Sequence, residues 1–430
     1  MGRLTAAVPL LSLCLFLSAE CLEHSVPPSP QKPYVAREDD PKTPGHPVVL
    51  VPGDGGSQIE ANLTGKPEVV HYSCYKTTAD YFDLWLDLRE FAPLAIDCWA
   101  DNMRLVFDAE SGAAADSPGV RTRVPGFGGT ASVEWLDKSR AHQGQYFSTI
   151  ADALVQWGYT RGKDLLGAPF DWRRAPHELA GFYATLRASI ETAYFYNGNR
   201  RVVVLGHSMG NPVMLYFYRN VVSASWKEKF VHSHISLAGA WGGAMQIVKL
   251  FASGYNMDYY RILLSPFALR PMQRSFTSSA FLFPSGAVWA EDEVLAATAS
   301  KNYTLQNVRE FFEDIGYALG WEQFQRTRYP DVAALAAPGV ALHCVYGRGV
   351  ATPETFSWAA GYFPDYQPTA TNGDGDGTVN LRSLEACARW NATNNAGRPV
   401  SLHALDGADH MSILGDSRTI DLLRNLLYAE

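Results

Sequence analysis

Beyond its first twenty or so residues the chain has no run of about 18 apolar residues, the length a membrane-crossing helix needs. It also lacks a basic cluster. Lys and Arg total 36 against 44 Asp and Glu, and the net charge of -8 has the wrong sign for a nucleic-acid partner. No internal repeat is visible, which excludes solenoids and propellers. Cysteine is scarce, with six in 430 residues, and two of them fall near the N-terminus. That terminus reads as a signal peptide over residues 1–21: Arg3, an apolar run from Ala6 to Leu17, then small residues at Ser18, Ala19 and Cys21. A soluble protein of the secretory pathway is expected. In that oxidising setting Cys74, Cys98, Cys344 and Cys387 allow two disulfides in three possible pairings. Three glycosylation sequons, at Asn62, Asn302 and Asn391, fit the same setting.

What is present is a well-supplied core, with 47% hydrophobic residues. After a proline- and charge-rich leader, Val48 to Val51 reads as a buried strand that runs into Pro52-Gly53-Asp54-Gly55-Gly56-Ser57. Such a loop either supplies a backbone N–H to a developing oxyanion or is a plain tight turn. Between Cys74 and Cys98 the spacing predicts a helix. Phe82, Trp85, Leu86 and Arg89 share one face, and Asp80, Asp83, Asp87 and Glu90 lie on another. A disulfide joining Cys74 to Cys98 would tie residues 70–105 into a knob, worth about 3 kcal/mol by chain entropy. The apolar face then either docks on a membrane or packs on the core. The glycine-rich stretch 112–144 is a candidate lid, and 244–335 is long enough for a cap inserted into the main domain. The stretch Ala168 to Arg174 suggests no role by itself. Strands at 48–51, 202–205, 234–238, 340–346 and 400–405 alternate with helical periodicity near 147–154, 179–190 and 416–428, predicting a mostly parallel sheet covered on both faces.

The most specific signal is Val202-Val203-Val204-Leu205-Gly206-His207-Ser208-Met209-Gly210-Asn211-Pro212, a strand, a sharp turn and a helix with Ser208 at the tip. Glycines at 206 and 210 allow a turn that tight. A serine hydroxyl needs a base, and the base needs an acid to fix its tautomer. In α/β-hydrolases the acid and base follow the serine on loops after late strands, in that order. Asp376 stands in Asn372-Gly373-Asp374-Gly375-Asp376-Gly377-Thr378-Val379, and His410 follows the last strand; the spacings are 376 − 208 = 168 and 410 − 376 = 34. Asp374 competes with Asp376 as the acid. The same loop partly matches a calcium-binding EF-hand, but its twelfth position is Ser383 and not Glu. His232 and His234 could pair on a metal, although the alternation of a strand explains their spacing more simply. The triad needs no metal or cofactor.

Read together, these motifs resemble the lecithin:cholesterol acyltransferase family, and within it the lysosomal phospholipase branch, from about Gly45 to the C-terminus. The resemblance rests on Val51-Pro52-Gly53-Asp54, the Cys74–Cys98 segment and Arg123-Val124-Pro125-Gly126-Phe127-Gly128. It rests also on Gly158 to Gly162, Asp171-Trp172-Arg173, His207 to Asn211, Trp241-Gly242-Gly243 and Gly373 to Asn380. It implies an α/β-hydrolase domain over 45–430, with Ser208 as nucleophile, Asp376 as acid and His410 as base. It implies an oxyanion hole made by the N–H groups of Asp54 and Met209, a membrane-binding knob presenting Phe82, Trp85 and Leu86, and a mobile lid near 124–143. By the plasma branch, Cys344 pairs with Cys387. The activity implied is hydrolysis of glycerophospholipid esters and acyl transfer to lipid alcohols such as ceramide. A secreted sterol acyltransferase and a catalytically silent binding protein are the alternatives. The implied setting is the lysosome or the secreted state, at phospholipid membranes, with anionic lipid favoured once acid neutralises Asp80, Asp83, Asp87 and Glu90. Asp54-Gly55-Gly56-Ser57 departs from the Asp-Leu-Gly-Asn of the pattern.

Overall fold

The computed structural model describes residues 31, 33–92, 94–140, 142–256, 265–392 and 395–428. The expected signal peptide and the side chain of Asn391 lie outside the described residues. Of the other sequons, Asn302 is exposed and Asn62 half-buried. Six parallel strands make the central sheet: β1 (Val48–Val51), β2 (Leu165–Gly167), β3 (Val202–His207), β4 (Val231–Leu237), β5 (Leu342–Arg348) and β6 (Val400–Asp406). Their order across the sheet is β6-β5-β4-β3-β1-β2. The β-branched runs of β1 and β3 are buried along their whole length, as strands covered on both faces must be. Parallel neighbours cannot be joined by a tight turn, so helices such as Ala180–Tyr196 and Gly210–Tyr216 make the crossovers. The sheet's carboxyl ends therefore release the loops after β1, β3 and β6 at one edge.

The segment between the first two cysteines differs from the expected helix. Phe82–Trp85 is a strand, antiparallel to Ile59–Leu63, which pairs on its other side with Val120–Arg123. Pairing against a free strand edge overrides the local helical period, and aromatic residues suit a pleated, half-buried surface. The helix of this segment lies later, at Ala95–Met103, and carries Cys98, which is bonded to Cys74. The acidic face is not formed either: Asp83 pairs with Lys138, and Asp87 caps the short helix Leu88–Phe91 and pairs with Arg89. The second disulfide joins Cys344 to Cys387.

The stretch 112–144 is not a long open loop. It holds the strands Ala113–Asp116 and Val120–Arg123 and the helix Ala131–Glu134, with Thr130, Ser132, Val133 and Glu134 buried. Arg161 grips Glu134 with two hydrogen bonds, at 2.6 and 2.9 Å, and so pins this helix beside β2. Residues 244–335 contribute the strands Ala296–Ala297 and Asn302–Tyr303 to a second sheet completed by Val350–Ser357 and Thr369–Gly375. Those last two form an antiparallel hairpin whose register sets Val350 opposite Gly375, so Asp376 emerges at its base.

Asp171-Trp172-Arg173 acquires a role in packing. The Arg173 side chain is wholly buried and donates to Asp171 at 2.8 Å, to Asp116, to Thr122 Oγ1 at 2.7 Å and to the Met103 carbonyl. One guanidinium thus ties the Ala95–Met103 helix and two peripheral strands to the loop after β2. Burial opposes the charge on Asp171, but the Arg173 and Arg174 cations outweigh it and hold the carboxyl below its usual range. Arg173→Ala empties a wholly buried site and leaves the half-buried Asp171 and Asp116 leaning on Arg174 for their positive charge. It is expected to cost about 3–5 kcal/mol, seen as a lower urea midpoint at unchanged m value. A loss under about 1 kcal/mol would contradict this account.

Candidate active site

β3 ends at His207, and Ser208 turns the chain with a φ of 52°, a left-handed conformation unusual for a non-glycine residue. Strain of this kind collects at functional turns, and here it is stabilised from several sides. Ser208 N–H donates to the Leu237 carbonyl at 3.0 Å. Asn211 Nδ2 donates to the carbonyls of Ser208 and Leu237, and Asn211 Oδ1 is held by His234 Nε2 at 2.8 Å. His234 is fully enclosed, and burial pushes its imidazole down to about 3, so it stays neutral in this bond. A Cβ at Gly210 would collide with the Pro52 carbonyl, and one at Gly53 would stand 2.6 Å from Ser208 Cβ. The loop after β1 and the serine turn are in backbone contact.

His410 Nε2 lies 2.9 Å from Ser208 Oγ, and His410 Nδ1 lies 2.7 Å from Asp376 Oδ2. The carboxylate's other oxygen accepts from the N–H groups of Thr378 and Val379 at 3.0 and 2.7 Å. All three residues are buried. Burial alone would lower the His410 imidazole; the charge and hydrogen bond of Asp376, with Asp409 behind, outweigh it and raise it above its usual range. This arrangement can take a proton from Ser208 and hold the resulting imidazolium. Asp374, in contrast, is exposed on the hairpin and accepts from Gly349 N–H at 2.6 Å. Asn372 and Asp374 sit in an extended strand, so the calcium-loop geometry is not formed. His232 stacks on His46 while His234 turns to Asn211, and no group of three metal-ligating side chains is found among the described residues.

The N–H groups of Asp54 and Met209 donate to no protein acceptor among the described residues, and Gly53 sits against Met209 N, so both amides border the serine. Gly55 takes a φ of 68°, and a Cβ there would stand 3.3 Å from the Trp85 ring, so this position suits glycine. Trp85 and Leu86 are buried and Phe82 is half-buried. Trp85 Nε1 donates to the Gly55 carbonyl at 2.7 Å, and its ring meets Trp172 at 5.3 Å. Trp172 Nε1 in turn donates to the Ser57 carbonyl. In place of the expected exposed anchor, Trp85 forms the floor of the loop after β1. The exposed apolar side chains of this segment are instead Tyr72 (89%), Tyr75 (78%), Val70 and Leu94, which flank the Cys74–Cys98 disulfide in sequence.

Two residues that sequence reading passed over complete the site. Tyr146 accepts from Gly53 N–H at 3.0 Å and bonds His207 Nδ1. His207 Nε2 lies 2.9 Å from the His410 carbonyl. His207 stood in the recognised motif, but only as a spacer; nothing in the sequence around Tyr146 marked it.

The parallel sheet, the serine on its strand–turn–helix and the acid and base on later loops define an α/β-hydrolase. More narrowly, the chain belongs to the lecithin:cholesterol acyltransferase family, whose sequence profile matches residues 81–417. It is 46% identical to a mouse protein named lysosomal phospholipase A and acyltransferase, over 89% of this chain and 90% of that one. The human protein of that name is 45% identical over the same shares. A chicken phosphatidylcholine-sterol acyltransferase is 38% identical, over 98% of this chain and all of its own length. Among solved structures, a chain of the Tle4–Tli4 complex superposes with a TM-score of 0.51 at 14% identity, over 90% of this chain and 98% of that one, a likeness of fold.

Asp54 supplies a pH dependence. It reaches solvent at the edge of the site, yet the dense protein around it pushes its carboxyl up to about 7, against the pull of the Gly55 amide. Below that pH the group is neutral. Above it, a negative charge stands beside the amides that would hold an oxyanion, which disfavours charge development there. On a soluble short-chain ester, kcat/KM should therefore fall on the alkaline side of about pH 7, and Asp54→Asn should lift that limb while leaving the acid limb of His410 in place. An unchanged alkaline limb in Asp54→Asn would remove Asp54 from the explanation.

Proposed function

We propose that this chain is a serine phospholipase and transacylase acting on glycerophospholipids. The observation that carries the reading is the continuous hydrogen-bonded line Ser208–His410–Asp376, set beside two undonated amides. Ser208 Oγ attacks the ester carbonyl while His410 Nε2 takes its proton; the oxyanion lies against the N–H groups of Asp54 and Met209. His410 then gives the proton to the departing lysophospholipid oxygen, leaving acyl-Ser208. Water, or a lipid alcohol such as ceramide, gives its proton to His410 and attacks the acyl-enzyme. The collapse frees a fatty acid or an acylated alcohol and restores the serine. Relatives named for both phospholipase and acyltransferase activity support this two-acceptor scheme, and their naming as lysosomal supports that compartment, with secretion as the alternative. Peripheral contact with phospholipid surfaces, with anionic lipid favoured, runs on this reading through Tyr72, Tyr75, Val70 and Leu94.

Vesicles of phosphatidylcholine and ceramide, with and without anionic lipid, incubated near pH 4.5 and near pH 7.4, should yield both free fatty acid and acylceramide. Release of fatty acid alone would leave hydrolysis and exclude the transacylase. A fluorophosphonate probe should label Ser208. Ser208→Ala should remove labelling and lower turnover by about 10⁶, with Asp376→Asn far more damaging than Asp374→Asn. Equal losses at both aspartates would overturn the acid's assignment. Tyr72→Ser with Tyr75→Ser should weaken vesicle sedimentation severalfold and spare hydrolysis of a soluble ester; undiminished sedimentation would place membrane contact elsewhere.

A further inference from the structure

His207 takes no part in the acyl-transfer steps, yet its ring is wholly buried and both of its nitrogens are committed. The direction of every proton in this cluster is forced. Gly53 N–H can only donate, so the Tyr146 oxygen accepts it at 3.0 Å. At the other end the His410 carbonyl, 2.9 Å from His207 Nε2, can only accept. The neutral His207 ring therefore carries its proton on Nε2, and its bare Nδ1 takes the Tyr146 hydroxyl proton. The imidazole is neutral and of one tautomer. Burial, aided by the neighbouring His410, holds it well below the usual histidine range. Its ring centroid stands 4.9 Å from that of His410, so a charge on His207 would oppose the imidazolium that His410 becomes during turnover.

A histidine with two hydrogen bonds could be no more than a satisfied core residue. The partners argue otherwise. Gly53 N–H is one residue from the Asp54 amide, His207 is one residue before Ser208, and the carbonyl acceptor belongs to the base itself. Three loops from three strands, each bringing one part of the site, meet at a single buried chain of hydrogen bonds. We infer that Tyr146 and His207 are positioning residues that fix the spacing of the oxyanion amides, the serine and the base through the relay Gly53 N–H, Tyr146 O–H, His207 Nε2–H and His410 C=O. This rests on the reading of Ser208, His410 and Asp376 as the triad. Slackening the relay lets the amides and the base drift relative to Ser208 without removing any group that touches substrate, so the loss falls on kcat. Tyr146→Phe keeps the ring and removes both of its bonds. His207→Gln keeps a donor for the His410 carbonyl, and His207→Leu keeps none.

The three variants are compared on a soluble short-chain ester, with active sites counted by fluorophosphonate titration and folding followed by thermal melts. In Tyr146→Phe and His207→Leu, kcat per titrated site should drop about 10- to 100-fold, with KM within about threefold. His207→Gln should retain more activity than His207→Leu. The double variant Tyr146→Phe/His207→Gln should be no worse than its worse parent, as expected for groups acting as a unit. A purely structural role would lower the melting temperature and the number of titratable sites while kcat per site stayed within about twofold of the wild type. That result overturns the inference, as does failure of all three variants to fold. If the wild type is not labelled at Ser208, the triad reading fails first, which is a different outcome from normal turnover in the variants.

Discussion

The parallel pairing of β1 with β3 is the constraint on which the site depends. Its register sets Val51 beside Gly206, so Pro52 and His207 leave the sheet as neighbours. Everything after that is a matter of close approach. The loop after β1 passes so near the serine turn that glycine alone fits at 53 and at 210. The undonated amides of Asp54 and Met209 therefore stand next to the hydroxyl they would serve. A slip of one residue in this pairing would turn each side chain to the opposite face of the sheet and part the two loops.

The acid and the base reach the same place by less direct routes. His410 follows β6 at the far end of the sheet, and Asp376 emerges from a hairpin that completes the second sheet. The hairpin does two things at once: it completes the second sheet, and it delivers the carboxylate with two backbone N–H groups already bonded to it. The polar groups behind the site are buried and arranged in donor–acceptor pairs, as with Asn211 and His234 beneath Ser208. In a low-dielectric interior such groups hold geometry only when each finds its partner.

How far this was legible in the sequence depended on how local the signal was. Val48 to Val51 and Val202 to Val204 announce buried strands because parallel strands need apolar residues on both faces. The helix Ala180–Tyr196 announces itself through Leu186 and Ile190, and the serine turn through its glycines. Asp376 and His410 could be named from chain order, and the structure brings them together with Ser208. The segment around Phe82 to Trp85 misled because its conformation is decided by a strand, Ile59–Leu63, some twenty residues away. The glycine-rich stretch 112–144 offered no period because its strands and helix are four residues each, and Arg161, which holds that helix, lies outside it. The hairpin Val350–Ser357 with Thr369–Gly375 carries Pro353 and few apolar residues, so its strands have no period to read. Tyr146 is the clearest case of a functional neighbour without a sequence signature: its importance is purely where it stands.

The place of Trp85 has a bearing on how mutagenesis of this family member is interpreted. Its indole supports the Gly55 carbonyl and leans on Trp172, within one residue of the Asp54 amide. A variant at Trp85 tested only on vesicles would lose activity whether or not the tryptophan ever met lipid, because the same ring is scaffolding for the reaction centre. Attribution needs an assay in which the interface is absent. Without that control, a defect in chemistry would be recorded as a defect in adsorption, and the map of the lipid-facing surface would be drawn around a residue that faces inward.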